Sequence, residues 1–106
     1  MTAAGAPLVL TLGDPAGVGP EIAVAAWRAL SVSGPVFAVI GDAEVLRMQG
    51  APVREVMAVS DAPAVFGHAL PVIHRPVRAP VVPGAPNPAN AAPVADWIEE
   101  AVSLAL

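Results

Sequence analysis

Four residues near the start of the chain, Gly13, Asp14, Gly17 and Gly19, have the types and spacing of a nucleotide-binding turn. They lie in the stretch TLGDPAGVGPE, which joins an apolar run to a segment with helical periodicity. Glycines at such a junction allow positive φ angles and let a ligand approach the backbone closely. Because open α/β sheets place their ligands at strand-to-helix turns, the chemistry would be the binding of a cofactor at the rim of a sheet.

The same stretch departs from the known phosphate-binding patterns. Ile22 stands where the third glycine of G-x-G-x-x-G belongs, and the chain has no lysine for a phosphate loop. Pro20 lacks an N–H donor, and Glu21 puts a carboxylate into the first helical turn, where a phosphate would sit. A standard pyrophosphate site is therefore disfavoured. Two interpretations stay open: a rigid turn that starts a helix, and a ligand-binding turn of another kind.

Three further residues could serve a site. Asp42 follows the second apolar run at the distance of a ribose-binding acid, but it also directly precedes a helix, and we favour a helix N-cap. His68 and His74 are six residues apart and have no nearby carboxylate, so they are poor metal ligands. We expect each histidine to lie on the surface or in a loop.

The order of apolar runs and chain breakers predicts an α/β fold with largely parallel strands covered by helices. Short apolar runs at 8–12 and 35–42 predict strands buried in a sheet. Between them, Pro20 opens a predicted helix whose apolar face carries Ile22, Ala26 and Leu30.

The second half of the chain gives a weaker pattern. Residues 70–77 could form a strand, but their prolines place that strand at a sheet edge or in a loop. The proline-rich stretch that follows predicts a loop that ends at Asn90, which is a good N-cap for the last helix. That helix has an apolar stripe that includes Val94, Trp97 and Ile98.

The composition favours a partner surface. Apolar residues make up 56% and charged residues 13% of 106 residues, too few to cover a small domain with polar side chains. The net charge of −4 and the scattered arginines argue against nucleic acid, and no apolar stretch would span a membrane. The absence of cysteine excludes disulfides and thiolate sites and fits a cytoplasmic protein.

GDPAGVGPE closely resembles the N-terminal signature of the 4-hydroxythreonine-4-phosphate dehydrogenase family of vitamin B6 biosynthesis. VIGD at 39–42 and the stretch from 83 to the end are similar to later parts of the same family. The resemblance implies an isocitrate/isopropylmalate dehydrogenase-like fold. In that fold, residues 1–106 would be a single partial domain, the N-terminal segment of a longer two-domain dehydrogenase.

The resemblance also implies a function. The family enzyme would be a homodimer that oxidises a small phosphorylated hydroxy acid with NAD or NADP, then releases CO₂ with the help of a divalent metal. Gly13, Asp14, Gly17 and Gly19 would lie near the cofactor, whereas the catalytic groups and metal ligands would lie outside this chain, which would be inactive alone. A paralogous dehydrogenase for another four-carbon substrate, and a non-enzymatic α/β dimerisation module, stay as alternatives.

Overall fold

The structure is a computed structural model that describes residues 7–105. Its four strands form one parallel sheet in the order β1-β2-β4-β3, which confirms the predicted α/β class. The strands are β1 (Leu8–Thr11), β2 (Phe37–Gly41), β3 (Val53–Glu55) and β4 (Leu70–His74), and the helices are α1 (Gly19–Leu30), α2 (Ala43–Arg47), α3 (Ala62–Val65) and α4 (Ala91–Ala105). Two 3-10 turns, Val59–Asp61 and Pro88–Asn90, precede α3 and α4.

Strand β2 is the centre of the core. All five of its residues are buried, and α3 and α4 both pack against it. Because successive strand residues point to opposite faces, both faces of the sheet are covered here. The ring of Phe37 at the start of β2 meets Phe66 edge to face, with 5.0 Å between the ring centroids. The prediction of a strand covered on both faces is therefore confirmed for β2.

Strand β1 is only half buried, and the prediction that it is a buried strand was wrong. Leu8 and Leu10 are 56% and 36% exposed, whereas Val9 packs against the core. Side chains alternate between the two faces of a sheet, so Val9 faces the core, whereas Leu8 and Leu10 lie on the other face, which the described residues leave uncovered at β1. An apolar run shows that a strand can be buried on both faces, but it does not show which neighbours cover it.

Strand β4 lies inside the sheet, between β2 and β3, so its predicted edge or loop position was wrong. Its proline is tolerated because of the register. Pro71 lies opposite Arg54 of β3, whereas the pairing of β4 with β2 begins only at Val72. The missing N–H therefore falls where the β2–β4 ladder starts, and it interrupts no run of hydrogen bonds there.

The buried face of α1 overlaps the predicted one only in part, because Ala26 and Leu30 pack against the core but Ile22 does not. Ile22 is 62% exposed, whereas Ala23, Val24 and Trp27 are buried. The indole Nε1 of Trp27 donates a hydrogen bond to the Phe66 carbonyl at 2.8 Å, which joins α1 to the end of α3. The orientation of α1 follows from this contact, because a periodicity of four residues is compatible with more than one face.

The segment between β4 and α4 is held by the side chain of Asn90, which is 4% exposed. Its Oδ1 accepts from the N–H groups of Arg78 and Ala79, and its Nδ2 donates to the Ala79 carbonyl. Asn90 therefore does not cap α4 as predicted. Asn87 provides the local cap by accepting from the N–H of Ala89, before the 3-10 turn that leads into α4.

Candidate cofactor-binding edge of the sheet

The carboxyl ends of all four strands meet at one edge of the sheet, because the strands are parallel. The turn between β1 and α1 leaves this edge first, Asp42 follows β2, and His74 ends β4. Ligands of open α/β sheets bind at this edge. The residues that the sequence marked as candidates thus lie at the end of the molecule where the fold places a site, with the exception of His68 in an exposed turn before β4.

The turn itself is fixed by Gly13 and Asp14. Gly13 has φ +72°, a left-handed conformation that glycine adopts without strain. The Oδ1 atom of Asp14 accepts from the N–H of Ala16 at 2.8 Å, and its carbonyl accepts from the N–H of Gly17 at 3.0 Å. This is a local Asx-type turn. The exposed Asp14 carboxylate is therefore partly engaged in shaping the loop.

Gly19, the first residue of α1, is required by packing against the backbone. A Cβ atom built on it would lie 2.0 Å from the carbonyl oxygen of Leu12, the buried residue that follows β1. Helix and strand end thus approach more closely than any side chain permits. This is the role of the third glycine in dinucleotide-binding turns, and here Gly19 takes it although the spacing differs.

Gly17 is not explained in the same way. It is exposed and has no positive φ, and an added Cβ would meet only Asp14, at 3.4 Å or more. The described fold would therefore accept a small side chain here. Because Gly17 has no side chain, its backbone is accessible to a ligand beside the start of α1.

The first turn of α1 presents few donors. Val18 stands at the N-cap without a side-chain hydrogen bond, and Pro20 has no N–H. The hydrogen bonds found among residues 7–105 do not use the amides of Val18 and Gly19. The exposed carboxylate of Glu21 lies in this turn and would repel a negatively charged group of a ligand. The arrangement suits a polar, uncharged group better than a pyrophosphate.

A short turn from the proline-rich segment lies beside this loop. Val82 and Ala85 form an isolated antiparallel bridge, and the N–H of Gly84 between them donates to the Ala16 carbonyl at 2.8 Å. Gly84 has φ +78°, which the tight turn requires. The turn from Gly13 to Gly19 is therefore held by a hydrogen bond from the proline-rich segment, for which the sequence predicted only a loop.

Asp42 is an N-cap, as predicted, and it also makes a longer-range contact. It is 6% exposed, its Oδ1 accepts from the N–H of Glu44 at 2.9 Å, and its Oδ2 accepts from the N–H of Val77 at 2.9 Å. Both carboxylate oxygens are thus engaged with backbone donors. The contact with Val77, which is 35 residues away, gives no signal in the sequence.

His74 supports the same junction, and its expected surface or loop role was wrong. It ends β4 and is half-buried, and its Nδ1 accepts from the N–H of Ala43 at 3.0 Å. The following residue, Arg75, donates its N–H to the Gly41 carbonyl. Sequence reasoning could have noticed that a histidine directly after the apolar run PVI must lie at the end of a strand.

The charges around this edge are mostly paired. The guanidinium of Arg75 donates to both carboxylate oxygens of Glu100 on α4, at 3.0 and 2.7 Å. Arg47 forms ion pairs with Glu44 and Glu55, and the hydrogen bond that its guanidinium donates to the Glu44 carboxylate is the largest cause that raises the pKa of Arg47 above its ordinary value. A cavity of about 220 Å³ lies between the ends of β3 and β4.

Within residues 7–105, the acidic and histidine side chains do not form a group of three or more that could hold a metal ion. His68 and His74 in particular share no such group. The described part of the chain also contains no helix with the length and apolar character needed to cross a bilayer.

The comparisons with known proteins agree on one family. The 4-hydroxythreonine-4-phosphate dehydrogenase of Caulobacter vibrioides is 51% identical over 102 residues, which cover 94% of this chain and 31% of the relative. The enzyme of the same name from Roseobacter denitrificans is 40% identical and covers the whole chain. No family model matches the sequence.

The chain belongs to the 4-hydroxythreonine-4-phosphate dehydrogenase family. It spans about a third of the length of the curated relatives that it matches. Solved 4-hydroxythreonine-4-phosphate dehydrogenases from Klebsiella pneumoniae and Burkholderia phymatum superpose on 93% of it, with TM-scores of 0.75 and 0.72 and identities of 28% and 27%. The family expectation is confirmed, whereas the expectation that residues 1–106 are a partial domain of a two-domain dehydrogenase stays a prediction.

Proposed function

We propose that this chain supplies the first α/β layer and a cofactor-contacting turn of an oxidoreductase that acts on 4-hydroxythreonine 4-phosphate. The observation that carries the proposal is the 51% identity to a dehydrogenase of that name across nearly the whole chain. The fold supports it, because the turn from Gly13 to Gly19 lies at the carboxyl edge of a parallel sheet. We assign the complete enzyme an isocitrate dehydrogenase-like two-domain fold, a homodimeric state and a cytoplasmic location.

In this proposal, NAD or NADP lies against the turn through its nicotinamide end. The exposed backbone at Gly17 and the amides of Val18 and Gly19 would donate to polar groups of the cofactor. Glu21 and the missing donor of Pro20 favour a neutral amide over a phosphate at this place. Asp14 holds the turn in shape through Ala16, so the backbone donors are oriented before the cofactor binds.

The reaction we propose is oxidation of the substrate hydroxyl followed by loss of CO₂. When bound, the cofactor accepts a hydride and a divalent metal stabilises the negative charge that develops. The described residues do not fit a metal site, because they lack a group of three suitable ligands. No metal-dependent step is therefore assigned to them, and we propose that the chain is inactive by itself.

The test joins this chain to the remaining two thirds of the Caulobacter vibrioides relative and follows NADH or NADPH formation with 4-hydroxythreonine 4-phosphate. We expect turnover by the joined protein and none by the 106-residue chain alone. Gly17→Ala should raise the KM for the cofactor while leaving the melting temperature nearly unchanged.

Two outcomes would contradict the proposal. Turnover by the chain alone would show that it contains the catalytic groups. A joined protein that is folded but oxidises only a different four-carbon hydroxy acid would identify a paralogous dehydrogenase.

A further inference from the structure

The outer face of α1 carries an exposed apolar stripe. The inner face of the helix buries Ala23, Val24 and Trp27 in the core. The opposite face presents to solvent a row of apolar residues spaced four, three and four positions apart, namely Val18, Ile22, Ala25 and Ala29. Val18, the N-cap, already has helical torsion angles, and it is 65% exposed, whereas Ile22 is 62% exposed. This spacing is that of the seam between two helices in a coiled coil.

Two opposite charges flank the stripe on one side of α1. Glu21 and Arg28 are both exposed, and they are separated by about two helical turns, or about 10 Å along the axis, which is too far for them to pair with each other. The ion pairs found among residues 7–105 include neither of them. The Arg28 guanidinium makes one long, exposed contact of 3.5 Å with the Gly50 carbonyl. Both charges can therefore reach a partner that packs on the stripe.

We infer that the stripe binds a second copy of the chain, with the two α1 helices antiparallel. In the register that we assign, Val18 of each copy lies opposite Ala29 of the other, and Ile22 of each lies opposite Ala25 of the other. Every layer of the contact then joins a large side chain to a small one, which lets the two helices interlock closely without a void.

The charges fit the same register. Residues at the position of Glu21 and Arg28 in the repeat meet their counterparts across an antiparallel pair, so Glu21 of each copy lies beside Arg28 of the other and two ion pairs form. A parallel pair would instead set Ile22 against Ile22 and Ala25 against Ala25, which leaves a gap at each alanine. A pattern that is complementary to itself about a two-fold axis favours a second copy over an unrelated segment.

The contact is small and independent of the proposed reaction. It joins one helix face from each copy, whereas standard stable interfaces contain about 20–30 residues a side, so we expect a weak dimer. The stripe projects sideways from α1, whereas the amides of Val18 and Gly19 point along the helix axis, towards the place assigned to the cofactor. Self-association through the stripe therefore leaves those amides accessible.

Charge reversal tests the ion pairs. Sedimentation equilibrium of the unmodified chain should show a concentration-dependent dimer at up to about 1 mM, the weak end of specific binding. Glu21→Arg and Arg28→Glu should each weaken the dimer about fivefold or more, because two attractions become two repulsions. An equimolar mixture of the two variants should recover the association, since basic residues then face acidic ones. Arg54→Glu is the matched control, because it reverses an exposed arginine on β3 and should leave the dimer unchanged.

A second pair of variants tests the register. Ile22→Glu should abolish the dimer, because it places a charge in the contact. Val32→Glu should leave it unchanged, since Val32 is 94% exposed in the turn after α1 and lies beyond the contact. Circular dichroism and melting curves identify any variant that fails to fold, and recovery in the mixture requires that both charge variants are folded.

Single cysteines test the direction of the helices, because the chain has no cysteine of its own. An equimolar mixture of Ile22→Cys and Ala25→Cys is oxidised under mild conditions. The mixed disulfide should exceed the yield from random pairing, because these two positions face each other in the antiparallel dimer. An excess of the two symmetric disulfides would overturn the inference.

The inference is also wrong if the chain stays monomeric, if the mixture of charge variants does not associate, or if Val32→Glu weakens the dimer as much as Ile22→Glu. In the joined protein, a thiol at position 22 that does not react with a maleimide would show that the remaining polypeptide covers the stripe, and this too would overturn it. None of these readouts is catalytic. An active joined protein without α1 pairing would contradict this inference alone, and an inactive one with pairing would contradict the proposed function alone.

Discussion

A Cβ atom on Gly19 would lie 2.0 Å from the carbonyl oxygen of Leu12, so the start of α1 rests directly on the backbone that leaves β1. Real Cβ atoms do not approach an oxygen this closely, and neither partner is a flexible side chain. Relief would require the helix to move away from the strand end. The turn from Gly13 to Gly19 therefore owes its shape to packing as well as to backbone torsion.

Gly19→Ala should lower the free energy of unfolding by about 1–3 kcal/mol or more, because it overpacks a site with no room. Urea denaturation followed by circular dichroism measures the change. Gly17→Ala is the control, because its Cβ would meet Asp14 at an ordinary 3.4 Å, and its effect should stay within about 0.5 kcal/mol. Equal losses in the two variants would show that the close approach of α1 to Leu12 is not what demands glycine.

Asp42→Ala should be more damaging than the loss of an ordinary cap. It removes hydrogen bonds to the N–H groups of Glu44 and Val77, and we expect a loss of about 2–4 kcal/mol, given about 1.5–3 kcal/mol for a hydrogen bond to a charged group. Asp61→Ala provides the comparison, because its carboxylate accepts only from the exposed Ala58 N–H. Its cost should stay near 1 kcal/mol, the usual value for a cap.

His74→Ala should cost about 0.5–1.5 kcal/mol, because the N–H of Ala43 loses its acceptor at the start of α2. His74→Asn should recover part of the loss, since the amide oxygen of asparagine can accept from the same direction as Nδ1. Denaturant titration of both variants measures the difference. His68→Ala lies in an exposed turn and should leave stability unchanged. Equal losses for Ala and Asn at position 74 would point to packing of the imidazole ring.

The Arg75–Glu100 pair should contribute at most about 1 kcal/mol, because both side chains reach solvent, at 47% and 29% exposure. A double-mutant cycle with Arg75→Ala and Glu100→Ala isolates the coupling. Arg75→Lys should lose most of it, since a lysine cannot donate to both carboxylate oxygens in the same fork. The coupling should shrink in high salt. A coupling that is unchanged in 1 M salt would contradict this description.

Several features of the fold could be predicted because they depend on neighbouring residues. The apolar run of β2, the breaker residues around it and the cap at Asp42 all act within a few positions, and each was confirmed. The glycines before α1 likewise placed the candidate turn at a strand-to-helix junction, and the structure has that junction. The family signature in this turn identified the family, whereas the periodicity of the apolar residues predicted only the class of fold.

Other features could not be predicted because distant parts of the chain decide them. The order β1-β2-β4-β3 puts Pro71 inside the sheet, and the packing of the described elements on its faces leaves Leu8 and Leu10 exposed, although the opposite positions fit the local sequence equally well. The Nδ1 of His74 is an acceptor only because β4 ends beside the start of α2, 31 residues earlier in the chain.

The sequence by itself determined the class of fold, the turn at 13–19 and the family, because these are written in short-range patterns and in one specific motif. Only the tertiary structure decided which face of α1 is buried, why Gly19 must be glycine and which strand edge is open. Those answers depend on backbone positions that meet across the sheet, where the distance between two atoms is set by the packing of several elements at once. The contact between Gly19 and Leu12 is the plainest case, because neither residue specifies it alone.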